Sequence, residues 1–486
     1  MIKLTSKVII PFLTIIFNDC MKEGYFPDEL KTGRISPIYK KDSSELLENY
    51  RPVSTLPIFG KIFEKIIFHR LYQFLEDNKS IYPNQYGFRK GHSTNHAINY
   101  SVSYVQKQIK LKRHTLAIFI DLSKAFDTLD HEILVSKLSN YGIEGNALNL
   151  IKSYLSNRKQ FVSVLNENSE ILEVKYGVPQ GSVLGPLLFI LYINDISNVS
   201  QQCELVLFAD DTNIFVTGKT REEVYVNARE ILATISRYME CNLLHINTKK
   251  CCYMLFSPGT KKGRTNIESD QYQLSINSKI IKKVNETKFL GVIIDDNLSW
   301  KPHIEKLNKK LKSACGRLYR IKNCLPEHLH KQIYHSLFES HLSYAISVWG
   351  GVSLCNLEAL FRTQKKCLRI MFGDSEAYLE KFRTCVRCRP FELQKLGKEF
   401  YCKEPTKPLF KKHDLLTVQN IYRLRCIIEL AKIIKLEEPV PLYLTLNRSK
   451  KNKNRFLTPK PSDNFTYKAP CLWNCFYKKV LKKRKS

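Results

Sequence analysis

Residues 205–217 read LVLFADDTNIFVT. An apolar run leads into Phe208 and Ala209, two adjacent acids follow, and a second β-favouring run closes the stretch. This pattern predicts a hairpin: strand, tight turn at Asp210-Asp211, strand. Two neighbouring carboxylates at a hairpin tip repel each other, and a fold gains nothing from that. A divalent cation would relieve the repulsion, because hard cations prefer carboxylate oxygen. Taken alone, the pair is also what an ordinary Asp-rich turn looks like. The rest of the chain supplies the other parts of a metal-dependent site.

Residues 114–131 read HTLAIFIDLSKAFDTLDH. Positions 116–120 form an apolar run, which predicts a buried strand. It ends in Asp121, and an acid at the end of a buried strand needs a partner or a metal. A turn and a helix are expected next, with Phe126 in them, five residues beyond Asp121. Asp127 and Asp130 are placed to cap or charge that helix N-terminus. Asp121, Asp210 and Asp211 then supply three carboxylates from two strands, the minimum set for clamping two cations in phosphoryl transfer. Between the acidic stretches, residues 176–186 read YGVPQGSVLGP, and an apolar helix (LLFILYINDI) follows. Glycines let backbone approach a ligand closely, and a helix N-terminus favours negative charge. Gln180 stands where it can face a nucleotide.

Upstream, residues 1–34 predict a helix, a break at Gly24 and Pro27, and a connection. The run VIIPFLTIIF at 8–17 is too short to span a bilayer and no small-residue cleavage site follows it, so a buried helix is expected. The next stretch, RISPIYKKDSSELLENYRPVSTLP, is basic and carries Arg51 beside a rigid proline, placed either to hold a phosphate or to sit on the surface. A helix should run from about Phe59 to Asp77. The stretch PNQYGFRKGHSTN at 83–95 reads as a loop close to a nucleic-acid strand, with Phe88 as a stacking face and Arg89 as a phosphate contact. A plain surface loop has the same composition.

The chain has 486 residues, too many for one ordinary domain, and 43% are hydrophobic, enough for sizeable cores. Lysine and arginine outnumber aspartate and glutamate by 77 to 46, a formal charge of +31, which favours a polyanion partner, nucleic acid before membrane surface. The 15 cysteines are odd in number and form no regular framework, so a reducing intracellular setting is expected, in nucleus or cytoplasm, with no membrane partner.

Taken together and in this order, NYRPVSTLPIFGKIFEKII, NQYGFRKGHST, DLSKAFDTLDH, GVPQGSVLGPLLF, FADDTNIF and KFLGVIIDDNLSWKPHI resemble the reverse transcriptases of non-LTR (LINE-type) retrotransposons, the jockey and CR1-like groups above all. The resemblance covers nearly the whole chain. It implies an α+β right-hand polymerase of fingers, palm and thumb, with an antiparallel palm sheet. The segments would be a lead-in at 1–35, fingers and palm at 36–294, a helical thumb at 295–373 and a basic C-terminal region at 374–486. It implies an RNA-directed DNA polymerase that extends a DNA primer on an RNA template with dNTPs. Two Mg2+ ions would serve, Mn2+ able to substitute, with Asp121, Asp210 and Asp211 as metal ligands. Phe126 would lie under the incoming sugar and select deoxynucleotides. Gln180 and Gly181 would meet the nucleotide, and Arg51 and Arg89 match basic fingers positions. Asn247 and Lys250 fit an N-x-x-K pattern in which the lysine protonates the departing pyrophosphate. Phe289, Leu290 and Gly291 would form the hairpin that grips the primer end.

Beyond Trp300 the pattern is helical and basic, and a three-helix bundle gripping duplex phosphates is expected. Cys385 and Cys388 suggest a metal knuckle, but no second ligand pair follows at zinc spacing. The tail from Asn447, with FTYKAPCLWN inside it, should contact nucleic acid or be a disordered charged end. Met1 already lies inside the segment leading into the fingers, so an endonuclease domain is expected to be missing. The rival expectations are a non-catalytic nucleic-acid-binding relic of such an element and a group II intron maturase. The intact acidic triad argues against the first and the missing splicing domain against the second.

Overall fold

A computed structural model describes residues 2–40, 42–259, 272–373, 406–434, 448–449 and 452–456. The chain divides into two compact units, Met1–Ser93 with Gln108–Val284, and Thr94–Lys107 with Asn285–Ser486. The second unit thus begins ten residues before the expected thumb boundary and includes most of a helix from the expected fingers.

The first unit opens with α1 (Ile2–Glu23), β1 (Gly33–Tyr39), β2 (Tyr50–Thr55) and α2 (Ile58–Asp77). After α3 (Thr94–Lys110) come β3 (His114–Ile120), α4 (His131–Asn140), α5 (Gly145–Leu155), β4 (Lys159–Val164), β5 (Glu167–Asn168), β6 (Leu172–Glu173) and α6 (Gly185–Ile193). Then follow β7 (Cys203–Phe208), β8 (Asp211–Gly218), α7 (Arg221–Cys241), β9 (Cys252–Phe256), β10 (Ser275–Ile276), β11 (Lys279–Ile280) and β12 (Lys282–Lys283). The sheet that matters most has the order β12-β9-β3-β8-β7. Its centre is β3, antiparallel to β8 on one side and to β9 on the other. The apolar run at 116–120 is there because a central strand is covered on both faces. Helix α6 is apolar all round for the same reason, and Leu187 through Ile193 are buried.

The expectation of a buried first helix fails. Helix α1 forms, but it is not buried: Val8, Ile10, Phe12, Ile15 and Ile16 are exposed. Its apolar residues run round the helix, and one face alone packs inward, where Phe17 stacks on Phe63 of α2 at 4.6 Å. Among the described residues no helix is long and apolar enough to cross a membrane, and every cysteine is a free thiol.

The second unit holds a hairpin of β13 (Glu286–Phe289) and β14 (Val292–Asp295), and then α8 (Lys301–Ile321). Helix α8 buries Ile304, Leu307, Leu311, Cys315 and Leu318 at three- and four-residue spacing and leaves Lys306, Lys309, Lys310 and Arg317 exposed. The second expected bundle helix is broken into α9 (Glu327–Tyr334), a π-helical stretch, α10 (Ser340–Ser343) and α11 (Ile346–Trp349). The break comes where Ala345 takes φ 49° and Trp349 Nε1 donates to the Tyr344 carbonyl at 2.9 Å. Helix α12 (Leu354–Phe372) packs along α8, and helices Thr406–Lys412 and Val418–Ile434 and strands β15 (Arg448–Ser449) and β16 (Asn452–Phe456) complete the unit. Cys385, Cys388 and the FTYKAPCLWN phrase lie outside the described residues.

Candidate active site

The hairpin expected from LVLFADDTNIFVT is β7–β8, but its turn sits one residue early. Phe208 pairs with Asp211, so the two turn residues are Ala209 and Asp210, and Asp211 opens β8. Ala209 carries φ 55°, a left-handed conformation that few residues adopt. Antiparallel pairing of β3 with β8 ends at Ile120 and Thr212. The next residue on each strand is Asp121 and Asp211, so the two acids leave the sheet side by side. Asp210 follows in the turn. Three acids separated by as many as 90 positions in sequence are thereby set at the same end of one strand pair.

Their environment is electrically strained. Burial pushes the Asp211 carboxyl up to about 6, and Asp210 and Asp121 add to the rise. Asp211 touches solvent by area, yet protein packs round most of its carboxyl, and that packing governs its charge. Asp210 is raised by burial first and by Asp121 second, while its own N–H, Arg51 and Lys40 pull it back. Arg51, exposed on β2, therefore contributes positive charge to this site. Lys250 does so directly: its Nζ lies 3.1 Å from Asp121 Oδ2. The N-x-x-K pattern is held there by backbone, since Asn247 N donates to the Asp121 carbonyl at 2.8 Å and Lys250 N to the Asn247 carbonyl at 3.0 Å.

Among the described residues no three His, Cys, Asp or Glu side chains already converge as a metal cage. At Asp121 the Lys250 ammonium takes one carboxylate oxygen. An oxygen-only donor set whose repulsion is only partly offset by Lys250, Arg51 and Lys40 nevertheless suits a hard divalent cation. Magnesium in such sites takes one or two carboxylates and completes its shell with water and substrate phosphates.

The glycine-rich stretch lies against these acids' own segments. Gln180 Nε2 donates to both oxygens of Asp127, at 2.9 and 3.1 Å. Asp127 is thus no helix cap, as expected above, but the anchor of Gln180; the cap is Asp130, which accepts from Ile133 N at 2.9 Å. Gly181 has φ 124°, and a Cβ there would meet the Ser54 carbonyl at 2.5 Å. Phe126 lies in the loop before α4 rather than in the helix, stacked on Phe189 at 4.7 Å and edge-on to Phe88 at 6.2 Å. Buried Glu64 of α2 accepts from Val183 N and Leu184 N at 2.6 and 3.1 Å, fixing the entry to α6.

Arg89 departs from its expected part. It forms a two-pronged pair with Glu76 at 2.9 and 2.8 Å and donates to the Tyr82 carbonyl at 3.1 Å. Its side chain is 9% exposed, so it braces its loop on α2 and is not offered to a phosphate. Phe289 ends β13 opposite Val292, and Leu290 and Gly291 form the turn of the β13–β14 hairpin in the second unit. Tyr344 OH donates to the Leu290 carbonyl at 2.6 Å, and Gly291 has φ 89° under the Tyr344 ring. Sequence reasoning missed Glu64 and the anchoring part of Asp127. Each acts through a partner far away in the chain, and for Glu64 alone a signal was available, a charged residue inside the apolar stretch IFEKII.

Residues 38–294 match the family described as reverse transcriptase (RNA-dependent DNA polymerase). The chain is similar to the RNA-directed DNA polymerase from mobile element jockey of Drosophila melanogaster, 28% identical over 76% of this chain and 41% of the relative. It is also similar to the probable RNA-directed DNA polymerases from transposon X-element, 28% identical over 76% of this chain and 41% of the relative, and from transposon BS, 26% identical over 74% and 40%, both of the same fly. The chain spans about two fifths of the length of these relatives.

Proposed function

The chain belongs to the reverse transcriptase (RNA-dependent DNA polymerase) family, and on that premise we propose that it extends a DNA primer on an RNA template by adding deoxynucleotides. The observation that carries this is the placement of Asp121, Asp210 and Asp211 at the same end of one strand pair, with Lys250 beside Asp121. A structural or binding module has no use for three mutually repelling acids.

Asp121, Asp210 and Asp211 would hold two divalent cations, Mg2+ by the hardness of the donors, with Mn2+ able to substitute. When bound, these ions lower the pKa of the primer hydroxyl and stabilise the charge of the departing pyrophosphate. The chain's own residues do the rest. Lys250 leaves Asp121 for the triphosphate and supplies a proton to the departing oxygen. Arg51 neutralises a phosphate at the mouth of the site. Gln180, its Nε2 fixed by Asp127, presents Oε1 to the nucleotide, while Gly181 lets it approach the backbone. Phe126, stacked on Phe189, forms a rigid floor that collides with a ribose 2′-hydroxyl. Phe289, Leu290 and Gly291 grip the primer, and the basic face of α8 holds the duplex without reading its sequence.

The test is extension of a DNA primer on an RNA template with Mg2+, comparing dNTPs with NTPs. Extension with dNTPs alone supports the reading. Duplex binding without extension would leave a nucleic-acid-binding protein, and efficient use of NTPs would overturn the role given to Phe126.

A further inference from the structure

The turn that carries Asp210 is held from outside by a residue with no part in the chemistry above. Gln85, fully buried, lies in the loop between α2 and α3. Its Oε1 accepts from Ala209 N at 3.1 Å and from Gly87 N at 2.8 Å. Two N–H donors require the oxygen there, so the amide orientation is settled by its partners. The loop is zipped along β7: Tyr86 N donates to the Leu207 carbonyl at 2.8 Å and Leu207 N to the Asn84 carbonyl at 3.0 Å. The approach is so close that a Cβ on Gly87 would meet Ala209 N at 2.3 Å. Ala209 is the residue that needs a restraint, because its φ of 55° is strained for alanine.

Gln85 is a poor choice for packing alone. Its Nε2 is buried and has no hydrogen-bond partner among the described residues. A methionine of similar volume would carry no such buried donor, but it would also lack the oxygen that the Ala209 and Gly87 N–H groups use. The amide therefore serves its oxygen.

We propose that Gln85 is a positioning residue for catalysis: by accepting from Ala209 N it holds the strained turn that aims Asp210, and with it the site's hold on divalent cations. The activity arm of this inference rests on the polymerase reading, and the binding arm does not.

The experiment compares wild type, Gln85→Met, Ala209→Gly and the double variant. Mn2+ binding to the resting protein is read by electron paramagnetic resonance. Single-nucleotide extension gives kcat, and template–primer affinity is measured separately. Gln85→Met should weaken Mn2+ binding severalfold and lower kcat about tenfold, the loss of one hydrogen bond's worth of restraint. Template–primer affinity should stay the same. Glycine takes positive φ without strain, so Gln85→Met should cost much less in the Ala209→Gly background. Additive losses in the double variant, or Mn2+ binding untouched by Gln85→Met, would overturn the proposal. Should Gln85→Met fail to fold, Gln85→Glu keeps an oxygen at the same reach. It should bind Mn2+ at least as tightly as wild type, and weaker binding would overturn the proposal too. An absence of extension by wild type with these Mn2+ effects intact would count against the polymerase reading alone.

Discussion

The chain contains two Asp-Asp pairs that follow apolar runs, Asp210-Asp211 in FADDTNIF and Asp295-Asp296 in VIIDDNLSW. They meet opposite fates. Asp295 is buried, and its two oxygens accept from Ser299 N and Trp300 N at 3.0 and 2.9 Å. Those donors begin the turn into α8, so the acid is a structural fastener. Burial first holds both Asp210 and Asp211 above the ordinary carboxylate range; Asp121 adds to the rise at Asp210, and Asp210 and Asp121 add to it at Asp211. A buried carboxylate with two backbone donors is satisfied; one short of them is held above its ordinary range, and under the proposed function it takes a cation. The dipeptide alone does not separate the two cases. The φ of the flanking residues and the supply of N–H groups do.

The sharpest way to break this comparison is to neutralise one acid of each pair. Asp211→Asn should lower extension about a thousandfold, while melting without divalent cation stays level or rises because a repulsion is gone. Asp295→Ala should do the reverse to stability. It takes the acceptor from the buried Trp300 N–H and from the more exposed Ser299 N–H, and should cost about 3 kcal/mol in unfolding free energy by denaturant titration. A stabilised Asp295→Ala or a destabilised Asp211→Asn would erase the distinction.

A pH titration sharpens the second region. His303, at the start of α8, accepts from Ile293 N at 3.3 Å and is buried. Burial first and Lys306 second lower its pKa from 6.5 to about 4. The unfolded chain then takes the proton first, so this contribution is full above pH 6.5 and is lost as pH falls towards 4. Stability should drop by about 2 kcal/mol by pH 5, and His303→Gln should flatten that limb of the curve. The smallest effect is expected from Tyr344→Phe, which removes the bond to the Leu290 carbonyl and should cost about 1 kcal/mol.

The central strand, the acidic hairpin and the helix after the glycine-rich turn were legible because each rests on local pattern. Leu116 to Ile120 can only be a buried strand, and α2 begins one residue from where its spacing placed it. What was not legible depends on partners remote in sequence. Arg89 looked like a phosphate contact because its tie to Glu76 lies on another element. Asp127 looked like a cap because Gln180 is 53 residues away. Helix α1 looked buried because apolar content says nothing of how many faces find a neighbour. The loop holding Gly87 was read as lying close to a nucleic-acid strand, and what Gly87 meets is the backbone of Ala209.

The most direct test of the account is primer extension on RNA with Mg2+ and dNTPs by the wild-type chain beside an Asp210→Ala/Asp211→Ala variant, with template–primer binding measured for both. The account predicts equal binding and extension by wild type alone. Extension that survives in the double variant would contradict it, as would a wild type that binds the duplex and never extends it.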